Sequence, residues 1–153
     1  MSEVTTTATM QVRPTIQELA PPAAFALSAT VLSEWESEAV RAALALKDLP
    51  DNWEASGSPK PSVTAINEAI ACIGNVAGLG CEALKAPFIA PMSDGGVQLE
   101  WDHGDRHLEI EVLPDGSTAY VVMRGAGDDI DSRTFRGTPA LRLLFGRLMA
   151  AAH

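Results

Sequence analysis

Three observations predict an α+β fold, an antiparallel four-stranded meander with helices packed on one face. Between Phe88 and Arg124 apolar and polar residues alternate, the pattern of strands with one side in a core and the other in water. This stretch is cut by Asp94-Gly95-Gly96, His103-Gly104-Asp105-Arg106 and Pro114-Asp115-Gly116, residue types that tolerate positive φ or preset a bend. On either side of it, apolar residues recur at helical spacing instead.

The chain opens with an expected flexible N-terminal arm, residues 1–30. As far as about Pro22 it is rich in Thr, Ala and Pro with few large apolar residues, a composition that buries too little to offset the entropy of ordering. Val12, Ile16 and Leu19 keep a roughly helical spacing through which the arm could order against a partner. Residues 31–153 are expected to form a single α+β domain, a size sufficient for one core.

The first helix is predicted over about Glu34 to Lys47, with Ser33 and Glu36 in the S-x-x-E pattern of a capping box. Trp35, Ala39, Ala42, Ala43 and Leu46 supply its apolar stripe, and Leu49-Pro50 ends it. A Pro/Gly/Ser loop follows over residues 51–61, in which Trp53 is expected to pin the loop to the core. Ser62 caps a second predicted helix whose apolar residues Val63, Ile66, Ile70, Ile73 and Ala77 share one face, while Thr64, Glu68 and Asn75 face water. Gly78 and Gly80 close it.

Four strands are predicted near Phe88–Met92, Val97–Asp102, His107–Leu113 and Thr118–Arg124. Residues 125–136 read as a mobile acidic loop containing Asp128 and Asp129. Thr138 with Pro139 then starts a last helix, with Leu141, Leu144, Phe145 and Leu148 towards the core. Its outward face, Leu143, Gly146 and Ala150, is small and apolar. A glycine within a helix costs about 1 kcal/mol relative to alanine, a cost that close approach of another backbone would explain.

The 153 residues carry 20 acidic and 11 basic side chains, a net charge of −9. Nucleic acid is therefore not an expected partner, since phosphate binding needs a cationic footprint. The helix–sheet–helix order matches that of double-stranded-RNA-binding domains only in topology, because carboxylates stand where those modules need lysine and arginine. The charge is also segregated. Residues 94–131 hold ten acids against Arg106 and Arg124, whereas residues 132–153 hold Arg133, Arg136, Arg142 and Arg147 and no acid. An acidic sheet thus precedes a basic helix.

Cys72 and Cys81 lack the neighbouring ligands of a zinc site and are too few for a disulfide scaffold. Reduced thiols, a cytoplasmic location and no cofactor are expected. The apolar run Ala20–Leu32 is broken by Pro21 and Pro22 and lacks a basic start, so neither a signal peptide nor a membrane span is expected.

Asn52-Trp53 with Gly57, Pro59 and Pro61, then Asp94-Gly95-Gly96-Val97-Gln98-Leu99-Glu100-Trp101, then Leu108-Glu109-Ile110-Glu111-Val112 and Pro114-Asp115-Gly116 make a recognisable series. It resembles that of small bacterial proteins with an N-W-D-G-like loop and a D-G-G-V-x-L-E-W strand, over about residues 49–124. This chain departs from the loop pattern with Glu54 and Ala55 where Asp and Gly are expected. The resemblance implies no activity, cofactor or site residue.

No nucleophile elbow, Cys–His pair or phosphate-cradling helix start is present in the sequence, so no catalytic or metal-ligating residue is assigned. A two-residue hairpin register would place Glu100 opposite Glu109, Asp102 opposite His107 and Trp101 opposite Leu108. Two glutamates so opposed repel by a few tenths to about 1 kcal/mol. Simple solvation of one sheet face accounts for polar alternation, and two functional readings compete with it. One is recruitment of a basic protein surface; the other is a divalent-metal or acid/base site using Glu100, Glu109, Glu111 and His107.

The leading expectation is a small acidic protein-binding module, antitoxin-like, inhibitory or adaptor in kind, acting by occlusion or scaffolding. Its partner-binding residues would be Glu100, Asp102, Glu109, Glu111, Asp128 and Asp129, with Leu143 and Gly146 adding apolar contact. No membrane partner is expected. The alternatives are a hydrolase or transferase using the strand carboxylates with a divalent metal, and a self-assembling structural subunit that associates through the last helix.

Overall fold

Local sequence rules account for where each helix begins. The computed structural model describes residues 31–81, 83–124, 130–132 and 138–150, with side chains described for 31–81, 83–118 and 140–150. Helix α1 spans Glu34–Ala45 and continues into a single 3-10 turn, Leu46–Asp48. The Ser33 hydroxyl accepts from the Glu36 amide and the Glu36 carboxylate accepts from the Ser33 amide, the reciprocal cap anticipated from the sequence. Helix α2 spans Val63–Ala77. Its chain reverses after Gly78, with Gly80 at φ +73°, a conformation that glycine adopts without penalty.

The sheet is antiparallel and runs in strand order β1 (Phe88–Pro91), β2 (Val97–His103), β3 (Arg106–Val112), β4 (Thr118–Arg124) and β5 (Ile130–Ser132). Three seven-residue strands form its body and two shorter ones its edges. The α+β class and antiparallel sheet agree with the sequence reading, but the strand count of four does not. Residues 130–132 pair with β4 rather than belonging to an acidic loop, Ile130 standing opposite Met123. Three residues are too short for alternation to reveal a strand. Helix α3 spans Thr138–Met149. Residues 31–153 constitute one compact unit. The expected arm, residues 1–30, lies outside the described residues, as do Asp128 and Asp129.

The core lies between the sheet and the helices. Val97, Leu99, Trp101, Leu108, Ile110 and Val112 form the inner sheet face and are all buried, against Ile66, Ala69 and Ile73 of α2 and Leu141, Phe145 and Leu148 of α3. Removing a large side chain of this kind from water stabilises by about 1.5–3 kcal/mol. Trp101 meets Phe145 edge to face, with ring centroids 5.0 Å apart and planes at 85°, a pairing worth about 0.5–1.5 kcal/mol beyond burial. Its indole Nε1 is buried and finds no acceptor among the described residues.

Both helical stripes differ from the sequence reading: on α2 the buried residues are Ala65, Ile66, Ala69, Cys72, Ile73 and Val76, with Ile70 and Ala77 only half-buried. Val63 is 61% exposed although its spacing assigns it to the core stripe of α2; it occupies the first helical position, ahead of Ala65 and Ile66, where burial begins. Ala42 is likewise exposed on α1, where Ala39, Ala43 and Leu46 carry the contact.

One end of the domain gathers the loop over 51–61, the start of α2 and two hairpin turns. Ser62 ties them together: its hydroxyl accepts from the Ala65 amide at 2.9 Å, donates to the Pro114 carbonyl at 2.6 Å, and its amide donates to the Gly95 carbonyl at 2.9 Å. Gly96 allows the β1–β2 turn to close on β3, since a Cβ there would lie 2.5 Å from the Val112 carbonyl oxygen. Pro61 is buried in this junction and the Pro59 ring lies against Gly95. Trp53 does not reach the core as expected. It is half-buried and donates from Nε1 to the Pro59 carbonyl at 3.1 Å, closing its own loop because Asn52 and Ala55 both turn through positive φ.

Candidate functional site

The anticipated β2–β3 register is present: Glu100 opposes Glu109, Trp101 opposes Leu108, Asp102 opposes His107, and Gln98 opposes Glu111. A two-residue connection, Gly104-Asp105 with Gly104 at φ +63°, sets it. Since side chains alternate along a strand, Gln98, Glu100, Asp102, His107, Glu109 and Glu111 share the face away from the core. Their half-buried or exposed state contrasts with the complete burial of the inner face. Phe88 pairs with Glu100 in the β1–β2 register and therefore stands beside it on this outer face, 65% exposed.

Each opposed glutamate has a separate polar neighbour. Glu100 accepts from the Gln98 side-chain amide at 2.8 Å. Glu109 lies 3.7 Å from His107 Nε2, while His107 Nδ1 is 2.8 Å from the Asp102 carboxylate. His107 thus bridges the two strands between a well-exposed aspartate and a glutamate only 21% exposed. In the β3–β4 register His107 stands opposite Arg124 and Glu109 opposite Val122.

Burial raises the Glu111 carboxyl above its ordinary value, and the negative charges of Glu109 and Asp94 raise it further. Among the described residues, no three histidine, cysteine, aspartate or glutamate side chains converge as a metal-binding group. A shallow cleft does exist, but Glu34, Trp35, Glu38 and residues 84–86 line it, none of them a strand carboxylate. Cys72 is buried and its thiol is pushed up to about 12, first by desolvation and then by Glu68, which leaves it inert as a nucleophile.

The structure separates two groups of residues that the sequence reading had joined into one interface. Leu144, Phe145 and Leu148 turn α3 towards the inner sheet face, so its opposite side carries Arg142, Leu143, Gly146, Arg147 and Ala150, all exposed. Glu100, Asp102, Glu109 and Glu111 point out of the other side of the sheet. Leu143 and Gly146 therefore lie on the far side of the domain from the carboxylates. No second backbone approaches Gly146 among the described residues: a Cβ there would meet nothing within 4 Å.

The sequence reading missed two contributors. Phe88 reads as the first residue of a core strand, yet its pairing with Glu100 turns it outward. Arg106 alternates with Leu108 and so points to the inner side, where Nη1 donates to the Arg147 and Ala150 carbonyls at the end of α3. It satisfies carbonyls that a helix end leaves open and opposes the negative pole there. No signal in the strand pattern identifies that helix terminus as its partner.

No protein-family model matches the chain, and neither a curated protein nor a solved structure matches it. Among the described residues, no helix is long and apolar enough to cross a membrane.

Proposed function

We propose that the chain is a small acidic protein-binding module that engages a basic protein surface through the outer face of its sheet. The observation that carries this reading is the direct opposition of Glu100 and Glu109 on the outer sheet face, flanked by Asp102, Glu111 and the exposed ring of Phe88. Carboxylates arranged in this way steer a cationic partner and fix its orientation, while the aromatic ring supplies apolar area for affinity. Rigidity of the face favours the same reading, because β2 and β3 are anchored by fully buried residues on their reverse side and little ordering cost remains on binding. Occlusion or scaffolding, as in an antitoxin, inhibitor or adaptor, needs no more than this.

The test replaces Glu100, Glu109 and Glu111 together by glutamine and compares affinity capture from the native cell with that of the unchanged chain. A single stoichiometric companion lost on neutralisation supports the proposal. Identical sets of companions on both chains remove it, provided that circular dichroism shows the same fold.

A further inference from the structure

The two exposed surfaces of this domain are complementary to each other, and one molecule cannot bring them together. The outer sheet face presents Glu100, Asp102, Glu109 and Glu111 beside Phe88. The outer stripe of α3 presents Arg142 and Arg147 beside Leu143, with no acid from residue 132 onwards. Each surface thus combines one sign of charge with one exposed large apolar side chain, 65% exposed at Phe88 and 59% at Leu143. They lie on opposite sides of a two-layer structure.

We propose that the occupant of the sheet face is a second copy of this chain, which lays the Arg142/Leu143/Arg147 stripe of its α3 across the carboxylates. This inference rests on the protein-binding reading of that face and names its partner. The geometry suits it. Helix α3, with 12 residues, is about 18 Å long, comparable to the seven-residue strands β2 and β3 at about 23 Å. The inner face of the same sheet already accepts helices in this manner. Exposed Gly146 and Ala150 keep the stripe low between the arginines, so the helix can approach the strands closely. Arg147 and Arg142 are five residues apart and reach to either side of Leu143 and Gly146.

The association is heterologous, since each copy uses a different surface from its neighbour. It leaves one acidic face and one basic stripe free at the ends of any stack, so it grows into an open series or a ring rather than stopping at a symmetric pair. A short helix on a few strands buries less than the roughly 800 Å² per partner typical of a stable interface. The contact is therefore weak, strengthens with concentration and weakens with salt. The chain's net charge of −9 opposes it at long range only, because charges more than about 8 Å apart are screened at physiological ionic strength.

Charge reversal tests this with built-in rescue. Variant one carries Glu100→Lys and Glu109→Lys; variant two carries Arg142→Glu and Arg147→Glu. Sedimentation velocity from micromolar to millimolar chain at low ionic strength should show concentration-dependent association of the unchanged protein that high salt reverses. Each variant alone should associate at least about tenfold more weakly. An equimolar mixture should recover, because in an alternating series the lysines of variant one face the introduced glutamates of variant two at one contact, and the native carboxylates of variant two face the native arginines of variant one at the next. Thermal melts verify that both variants remain folded; should variant one fail this, Glu100→Gln with Glu109→Gln replaces it, with loss of self-association as its readout. An unchanged protein that stays monomeric throughout overturns the self-association, as does association that is insensitive to both variants or a mixture that does not recover. A monomeric result combined with a companion lost on sheet neutralisation would overturn this inference alone and leave the protein-binding reading standing.

Discussion

Replacing Ala55 by glycine should stabilise the domain, although it removes a methyl group and adds freedom to the unfolded chain. Ala55 is exposed and has φ +58°, a region where Cβ crowds the backbone and costs a non-glycine residue about 1–2 kcal/mol. Against the relief stands the extra conformational entropy of unfolded glycine, about 0.4–1 kcal/mol. Solvent surrounds the methyl group, so little packing is lost and the net gain is about 0.5–1 kcal/mol. For a domain of this size that raises Tm by about 2–4 °C. Paired urea titrations of the unchanged chain and Ala55→Gly measure it as a shift in midpoint with constant slope. Gly57→Ala is the internal control: glycine there has φ +87° and open space around a Cβ, so the change should destabilise by about 0.5–1 kcal/mol, the backbone strain less the entropy that alanine removes from the unfolded chain. A lower midpoint for Ala55→Gly, or an unchanged one for Gly57→Ala, would refute the argument that backbone conformation governs this loop.

Three further outcomes follow from named contacts. Ser62→Ala removes both the cap of α2 and the bond to the Pro114 carbonyl, and should cost about 2–3 kcal/mol in urea unfolding; a loss near zero would mean that water replaces both bonds. Arg106→Gln uncovers the last carbonyls of α3 and should cost about 1 kcal/mol, with faster amide exchange confined to that helix as the distinguishing readout. Glu111 has a folded pKa raised above its ordinary 4.5, so the folded state binds more protons than the unfolded one between those two values. Its contribution to stability therefore falls as pH rises through that interval and is regained on acidification. Glu111→Gln should flatten this part of the stability–pH curve and raise stability at neutral pH; a steeper dependence in the variant would contradict the assignment.

Those parts of the fold that depend on short-range rules were legible in the sequence. The caps at Ser33 and Ser62, the hairpin register set by Gly104-Asp105, and the alternation through β2 and β3 all involve residues close in the chain or directly paired. Failures occurred where the deciding partner is distant. Trp53 has the bulk of a core anchor, yet the turns at Asn52 and Ala55 close the loop on Pro59 before the ring can reach the core. Val63 has the right spacing but lies at the first position of α2, ahead of Ala65 and Ile66, where burial begins. Arg106 gave no sign of its role because α3 begins more than thirty residues later. Strand β5 has only three residues, fewer than periodicity needs.

The same limit explains why the candidate site could be read in composition but not in arrangement. Alternation assigns the carboxylates to one sheet face, and helical spacing assigns Leu143 and Gly146 to the outer side of α3. Each pattern gives the two sides of its own element, and only their combination through the shared core sets the helix against the sheet face away from the carboxylates. Once Phe145 meets Trp101, that combination is made, and it places acidic and basic surfaces back to back. A single partner touching both would have to wrap around the domain, whereas separate partners, or copies of the chain in series, need only flat contact. The Trp101–Phe145 packing is thus the structural fact on which the interaction geometry turns. Disrupting it with Phe145→Ala should cost about 3–5 kcal/mol and abolish both surfaces together, whereas the charge variants alter each surface separately without reaching the core.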